Sequence, residues 1–257
     1  METNTYGNLI KLIKALAGVT TFTDAELTNI SHLINRRYRE AYNTSQSWPR
    51  YLAQSEDREI VALKVSGASS VTNINQNYKI LGQDAAGFNV YRGVTNTTFV
   101  IYRTTDTERW EVNEGASVNT STFAVSGGTQ RAIETDNPGD SNFPYEVDAY
   151  STETSLKVLE RNLIPYSQTG ETDISEFMKI HRKKAFVNQS RLEYDFFIDE
   201  DGANILNLAA TTDNNAFVTF KKKLTPFSVS ASWESSSVEV PIEFFYYIAH
   251  AVYTDGS

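Results

Sequence analysis

Three histidines, at positions 32, 181 and 250, are the only imidazoles in the chain, and there is no cysteine. Without a thiol there can be no cysteine nucleophile, disulfide framework, Cys-bearing zinc site or thiolate-held iron–sulfur cluster. His32, His181 and His250 have no second histidine or carboxylate four residues away, the spacing that builds a metal site on one helical face. They read as solvated or satisfied imidazoles. Carboxylate chemistry would need two acids held at separated pKa values. Glu108 with Glu111 and Asp195 with Asp199 are the pairs on offer, and such spacings are common on strands and turns. Asp199-Glu200-Asp201-Gly202 resembles the start of a calcium loop, but its glycine is fourth rather than sixth and the twelfth position is Ala210. It reads instead as a tight hairpin turn. The phosphate-binding patterns GxxxxGK[ST] and GxGxxG are absent, as are HExxH and GxSxG. The chain therefore reads as a non-enzyme, with no cofactor and no metal expected.

What remains are charges and rings. Arg36, Arg37 and Arg39 cluster on one segment, His181-Arg182-Lys183-Lys184 and Lys221-Lys222-Lys223 form two more basic runs, and 14 Tyr, 14 Phe and 3 Trp are spread along the chain. The plainer reading of the basic runs is a solvated face. The functional one is contact with an acidic neighbour or a passing phosphate backbone. The aromatics read mainly as core and cross-strand packing, with a sugar-binding stripe on an exposed sheet as the other use.

The elements that must position these residues are legible from periodicity. The 257 residues carry 23 basic and 32 acidic side chains, a formal net charge of -9, with 40% hydrophobic residues. That is a foldable, acidic chain, unsuited to coating nucleic acid non-specifically. No apolar run reaches the roughly 18 residues of a membrane span, and Met1-Glu2-Thr3-Asn4-Thr5 does not read as a secretion signal. Tyr6, Leu9, Ile10, Leu12, Ile13, Leu16 and Ala17 recur at helical spacing before Gly18. Thr23-Asp24-Ala25-Glu26 is a capping box, with Phe22 and Leu27 placed as a hydrophobic staple. A second helix follows through Tyr42 and ends before Trp48-Pro49. Strands are predicted at 59–65, 78–81, 88–91, 98–102, 110–112 and 122–125, punctuated by glycine. Residues 134–154 read as a hinge around Pro138-Gly139. Further strands are expected at 155–159, 190–198, 204–208 and 217–224, with 177–187 ambiguous. After the Ser-rich stretch 228–237, residues 240–253 read as a closing helix with Pro241 in its first turn.

This order of elements resembles the head-to-tail adaptor (connector, or head completion) proteins of tailed bacteriophages. The residues that carry the likeness are Arg36-Arg37-Tyr38-Arg39-Glu40-Ala41-Tyr42 before Trp48-Pro49, the hairpin Tyr194 to Leu206, and Val240-Pro241-Ile242-Glu243 opening the last helix. It covers about residues 6–50 and 155–255. In that family the closing helix usually leads into more helical chain, whereas here the sequence runs to Thr254-Asp255-Gly256-Ser257.

The resemblance implies an α+β fold: a helical bundle from the N- and C-terminal segments, a central antiparallel β region and an inserted small β module. The adaptor body would be 1–63 and 131–257, and the module 64–130. It implies a virion protein, made in the host cytoplasm, that forms a ring, expected to be a dodecamer. That ring would bind the portal, itself and the tail or nozzle/terminator proteins, pass genomic DNA without reading its sequence, and touch no membrane. Arg36, Arg37, Arg39, Asp199, Glu200, Asp201, Gly202, Lys221, Lys222 and Lys223 are the expected interface residues. The alternative is a phage tail or surface adhesin that binds glycans through the β module.

Overall fold

The computed structural model describes residues 4–69, 71–104, 110–134, 149–150, 157–184, 192–208 and 213–256. The predicted strands at 155–159 and 190–198 and the 134–154 hinge fall partly outside these residues. The chain divides into two compact units, one made of 1–52 with 221–257 and the other of 53–220.

The first unit holds three helices, α1 (Tyr6–Ala17), α2 (Asp24–Asn43) and α3 (Ile242–Gly256). α1 stops at Gly18 because that residue takes the left-handed conformation (φ 68°), where a side chain would be strained, and its N–H closes on Ala15 O. α2 starts with the reciprocal capping box: the Glu26 N–H donates to Thr23 Oγ1, and the Thr23 N–H donates to the Glu26 carboxylate. The apolar faces of the helices meet in one core of Tyr6, Leu9, Ile10, Ile13, Leu27, Ile34, Tyr38, Phe244, Phe245, Ile248 and Val252. These helices do not form a mainly helical bundle. The extended segment 223–232 packs with them through Phe227, whose ring stacks on Tyr38 at 4.4 Å. The Asn35 amide fixes that segment, donating to Phe227 O (3.0 Å) and accepting from Phe227 N (2.8 Å).

The second unit is β-rich. Its strands are β1 (Leu52–Glu59), β2 (Val61–Ser66), β3 (Asn77–Gln83), β4 (Asn89–Gly93), β5 (Phe99–Arg103), β6 (Trp110–Glu114), β7 (Ser117–Val118) and β8 (Val125–Ser126). They continue as β9 (Thr129–Glu134), β10 (Ala149–Tyr150), β11 (Lys157–Pro165), β12 (Ile174–His181), β13 (Phe196–Ile198), β14 (Gly202–Ile205) and β15 (Asn215–Lys222). Ten of them form one antiparallel sheet in the order β10-β9-β6-β5-β4-β3-β2-β11-β14-β13. β1, β15 and β12 form a three-stranded sheet, and β7 with β8 a small hairpin. The chain is thus a mixed α+β protein with three helices and a large antiparallel sheet among the described residues. Residues 64–130 supply strands to the same sheet that runs on through β11, β14 and β13.

Two local readings are corrected, and one that the sequence left open is resolved in part. The strand predicted at 59–65 is two strands broken at Ile60, because the chain leaves one sheet for another there and the Ile60 N–H goes to Asn214 O (2.8 Å). Residues 122–124 are a turn rather than strand: Asn119 O accepts from the Phe123 and its side chain from the Ser121 and Thr122 N–H groups. The ambiguous 177–187 segment begins inside strand β12.

Candidate binding pocket

The expected interface residues are divided between the units, Arg36, Arg37, Arg39 and Lys221 to Lys223 in the first and Asp199 to Gly202 in the second. On α2, Arg36 and Arg37 are tied down: Arg37 bonds Glu40 (2.7 Å) and Asp255 at the end of α3, and Arg36 bonds Glu40 (3.3 Å). Asp255 and Glu40 hold the Arg37 guanidinium pKa above its ordinary value. Arg39 is exposed and meets no acid among the described residues. The three lysines expected on one exposed face are split. Lys221 is 4% exposed, donates to Tyr42 O (2.9 Å) and lies over the Tyr42 ring (3.8 Å), whereas Lys222 is half-buried and Lys223 exposed. Lys221 and Lys222 are the last two residues of β15 and leave opposite faces of it, and Lys223 lies beyond the strand's end. His32 and His250 are exposed and His181 is buried. Among the described residues no group of three or more His, Asp and Glu side chains is arranged to hold a metal ion.

The Asp199–Gly202 turn connects β13 to β14 as expected, but Asp199 and Asp201 are tied back to the sheet. Asp199 Oδ1 accepts from the N–H groups of Asp201 (2.9 Å) and Gly202 (3.1 Å), and Oδ2 from the Asn204 amide (2.9 Å) and Arg161. Asp201 accepts from Lys64 (2.9 Å) and Arg161. Glu200 is exposed at the tip. The turn therefore locks its hairpin onto β11 and β2. Lys64 and then Arg161 hold the Asp201 carboxyl below the usual carboxylate range. Its folded pKa lies below its unfolded value, so it adds stability above about pH 4 that is lost as pH falls through the folded value. Asp201→Asn should thus be less stable than the wild type at neutral pH and converge with it in acid denaturation. A gap that stays constant with pH would show that Asp201 ionisation is not what holds the turn.

Arg161 also forms part of a concave pocket of about 460 Å³, lined by β2, β3, β4, β11, β13 and β14 and by Leu206 and Leu208. Consecutive strand residues normally point to opposite faces, yet Glu160, Arg161 and Asn162 all line it. A β-bulge explains this. Glu160 pairs with Leu63 but Leu163 pairs with Val61, so β11 carries one residue more than β2 between the pairs. The β2–β3 and β3–β4 registers also shift here, between Val61 and Leu63 and between Ile80 and Gly82. The sheet is therefore irregular where the pocket forms.

Tyr91 and Phe197 supply aromatic surface to the pocket, and Leu206 an apolar rim. Phe197 is 51% and Leu206 64% exposed. Burial pushes the Tyr91 hydroxyl up to about 12, with an Asn89 hydrogen bond opposing and the Glu160 charge adding. Partial desolvation raises the Glu160 carboxyl above its ordinary range. Glu160 has no ion-pair partner among the described residues. Sequence reasoning passed over this pocket. The signal was the polar triplet Glu160-Arg161-Asn162 between Leu159 and Leu163, a break in alternation inside a strand. No protein-family model, curated protein or solved structure matches the chain.

Proposed function

We propose that this chain is a structural virion protein that assembles into a ring joining the portal to the tail and continuing the DNA channel. On this reading, the helical unit built from both chain ends belongs to the adaptor body, and residues 64–130 are its inserted β module. The observation that carries the reading is the placement of exposed apolar side chains. Phe197, Ile198 and Leu206 stand on the β13–β14 hairpin and just after it, and β13 is an edge of the large sheet. Ile242, Tyr246 and Tyr253 stand along one side of α3. A ring interface joins two different patches of the same protein, and two such patches exist here, one in each unit. The element order over 6–50 and 155–255 supports the same reading. The net charge of -9 suits a channel wall that repels phosphate.

The pocket favours a second reading, a glycan-binding adhesin, because aromatic rings beside amides and a carboxylate suit a sugar. Quantitative peptide mass spectrometry of purified particles separates the two. One copy of this chain per portal subunit is the expected result. Absence from particles would overturn the ring, and a ratio set by threes would favour the adhesin.

A further inference from the structure

We propose that the pocket on the bulged face of the large sheet receives an arginine side chain from a second copy of the chain, Arg39 on that copy's α2, with Glu160 as its ion partner and Phe197 as its stacking surface. This deepens the ring reading and rests on it.

The charge balance points to a cation. Within the pocket wall and its anchor, Arg161 and Lys64 are matched by Asp199 and Asp201. Glu160 is left uncompensated among the described residues and stands exposed at the pocket, open to an incoming cation. An anionic ligand would meet that carboxylate without a free cation beside it. The bulge puts Glu160 on the same side as its neighbours Arg161 and Asn162, an arrangement a regular strand would not give.

The exposed Phe197 ring then selects among cations. A guanidinium is weakly hydrated and planar, so it stacks on an aromatic face while bonding a carboxylate at its edge; an ammonium does the second but stacks poorly. The volume of about 460 Å³ suits a side chain rather than a whole helix. On the donor side, Arg36 and Arg37 are engaged with Glu40 and Asp255, whereas Arg39 is exposed on the same helix without an acid among the described residues. Donor and acceptor are different surfaces, so the contact is heterologous and repeats around a ring.

The test uses charge exchange and a cross-link, the latter made clean by the absence of cysteine. Ion-paired side chains hold their Cα atoms farther apart than a disulfide tolerates, so the double variant Arg39→Cys/Glu160→Cys is joined with a short bis-maleimide. A ladder of covalent oligomers is expected from the double variant and not from either single one. Glu160→Lys and Arg39→Glu should each weaken self-association by roughly 30-fold or more in sedimentation equilibrium, and the combined exchange should restore most of it. Glu160→Gln, which conserves shape, should weaken association without shifting the unfolding temperature. If the wild type associates but neither ladder nor rescue appears, the Arg39–Glu160 contact is wrong and the ring reading survives. If the wild type stays monomeric both alone and in particles, both fall. Oligosaccharide binding that Glu160→Gln abolishes, with association unchanged, would overturn the proposal in favour of a sugar.

Discussion

Arg58→Ala should destabilise the 53–220 unit by about 3–4 kcal/mol, in the range for truncating a large buried side chain, and lower its unfolding temperature by roughly 10 °C. Arg58 sits on β1 and is 2% exposed, the largest of the fully buried side chains among the described residues. Its Nη2 donates to Glu56 (2.7 Å) and to the Thr172 carbonyl (2.7 Å), Glu171 lies 3.7 Å from Nη1, and the guanidinium lies 4.8 Å from the Phe220 ring centroid. Truncation removes a cation from between acids, strands a backbone carbonyl and opens a cavity beside Phe220, and each of these costs stability. Arg58→Met keeps most of the stem and should lose about half as much. Thermal and urea unfolding of the two variants measures the difference. Equal losses would mean the charge matters and the packing does not, and a loss below about 1 kcal/mol in both would show that the site accommodates the change.

Gly202→Ala should cost about 3 kcal/mol, at the upper end of overpacking penalties. A Cβ on Gly202 would lie 2.2 Å from the Ile164 carbonyl oxygen and 2.8 Å from Pro165 Cα. Both are backbone atoms of β11, which pairs with β14 at this point, so neither can swing aside as a side chain would. The residue's φ of 151° adds strain for any L side chain. Relief requires the hairpin to lift from β11, and that displacement would disturb the Asp199–Arg161 and Asp201–Arg161 ion pairs together. The variant should therefore lose amide exchange protection across 196–205 more than elsewhere. Uniform loss over the whole unit would argue that the hairpin does not move independently.

The two substitutions bear on the functional reading from different sides. Gly202 and the turn acids hold the hairpin that presents Phe197 to the pocket, so Gly202→Ala should also weaken any association made through that surface. Arg58 lies on β1 of the three-stranded sheet and does not line the pocket, so its loss should act on stability alone. Comparing self-association of the two variants at matched temperatures below their midpoints separates a surface effect from simple unfolding.

The amino-acid sequence by itself determined the helices and much of the strand positions. A capping box, a staple and a terminal glycine are local devices, complete within a few residues: α1 ends at its glycine and α2 begins at its capping box. Alternating β-branched and aromatic runs between glycines likewise located most of β3 to β6. The hairpin turn at 199–202 followed from Asp-Gly chemistry alone. What tertiary structure decided was which strands pair and which charges are free. Nothing local tells that β2 lies between β3 and β11, because that pairing joins residues nearly a hundred positions apart. Glu160 becomes a pocket residue only when β2 holds β11 in a bulged register, and Lys221 becomes a buried cation only when α2 places the Tyr42 carbonyl and ring beside it. A charge in a sequence has a sign; its partner, and so its availability to another molecule, is set by chain segments that the fold brings together from a distance.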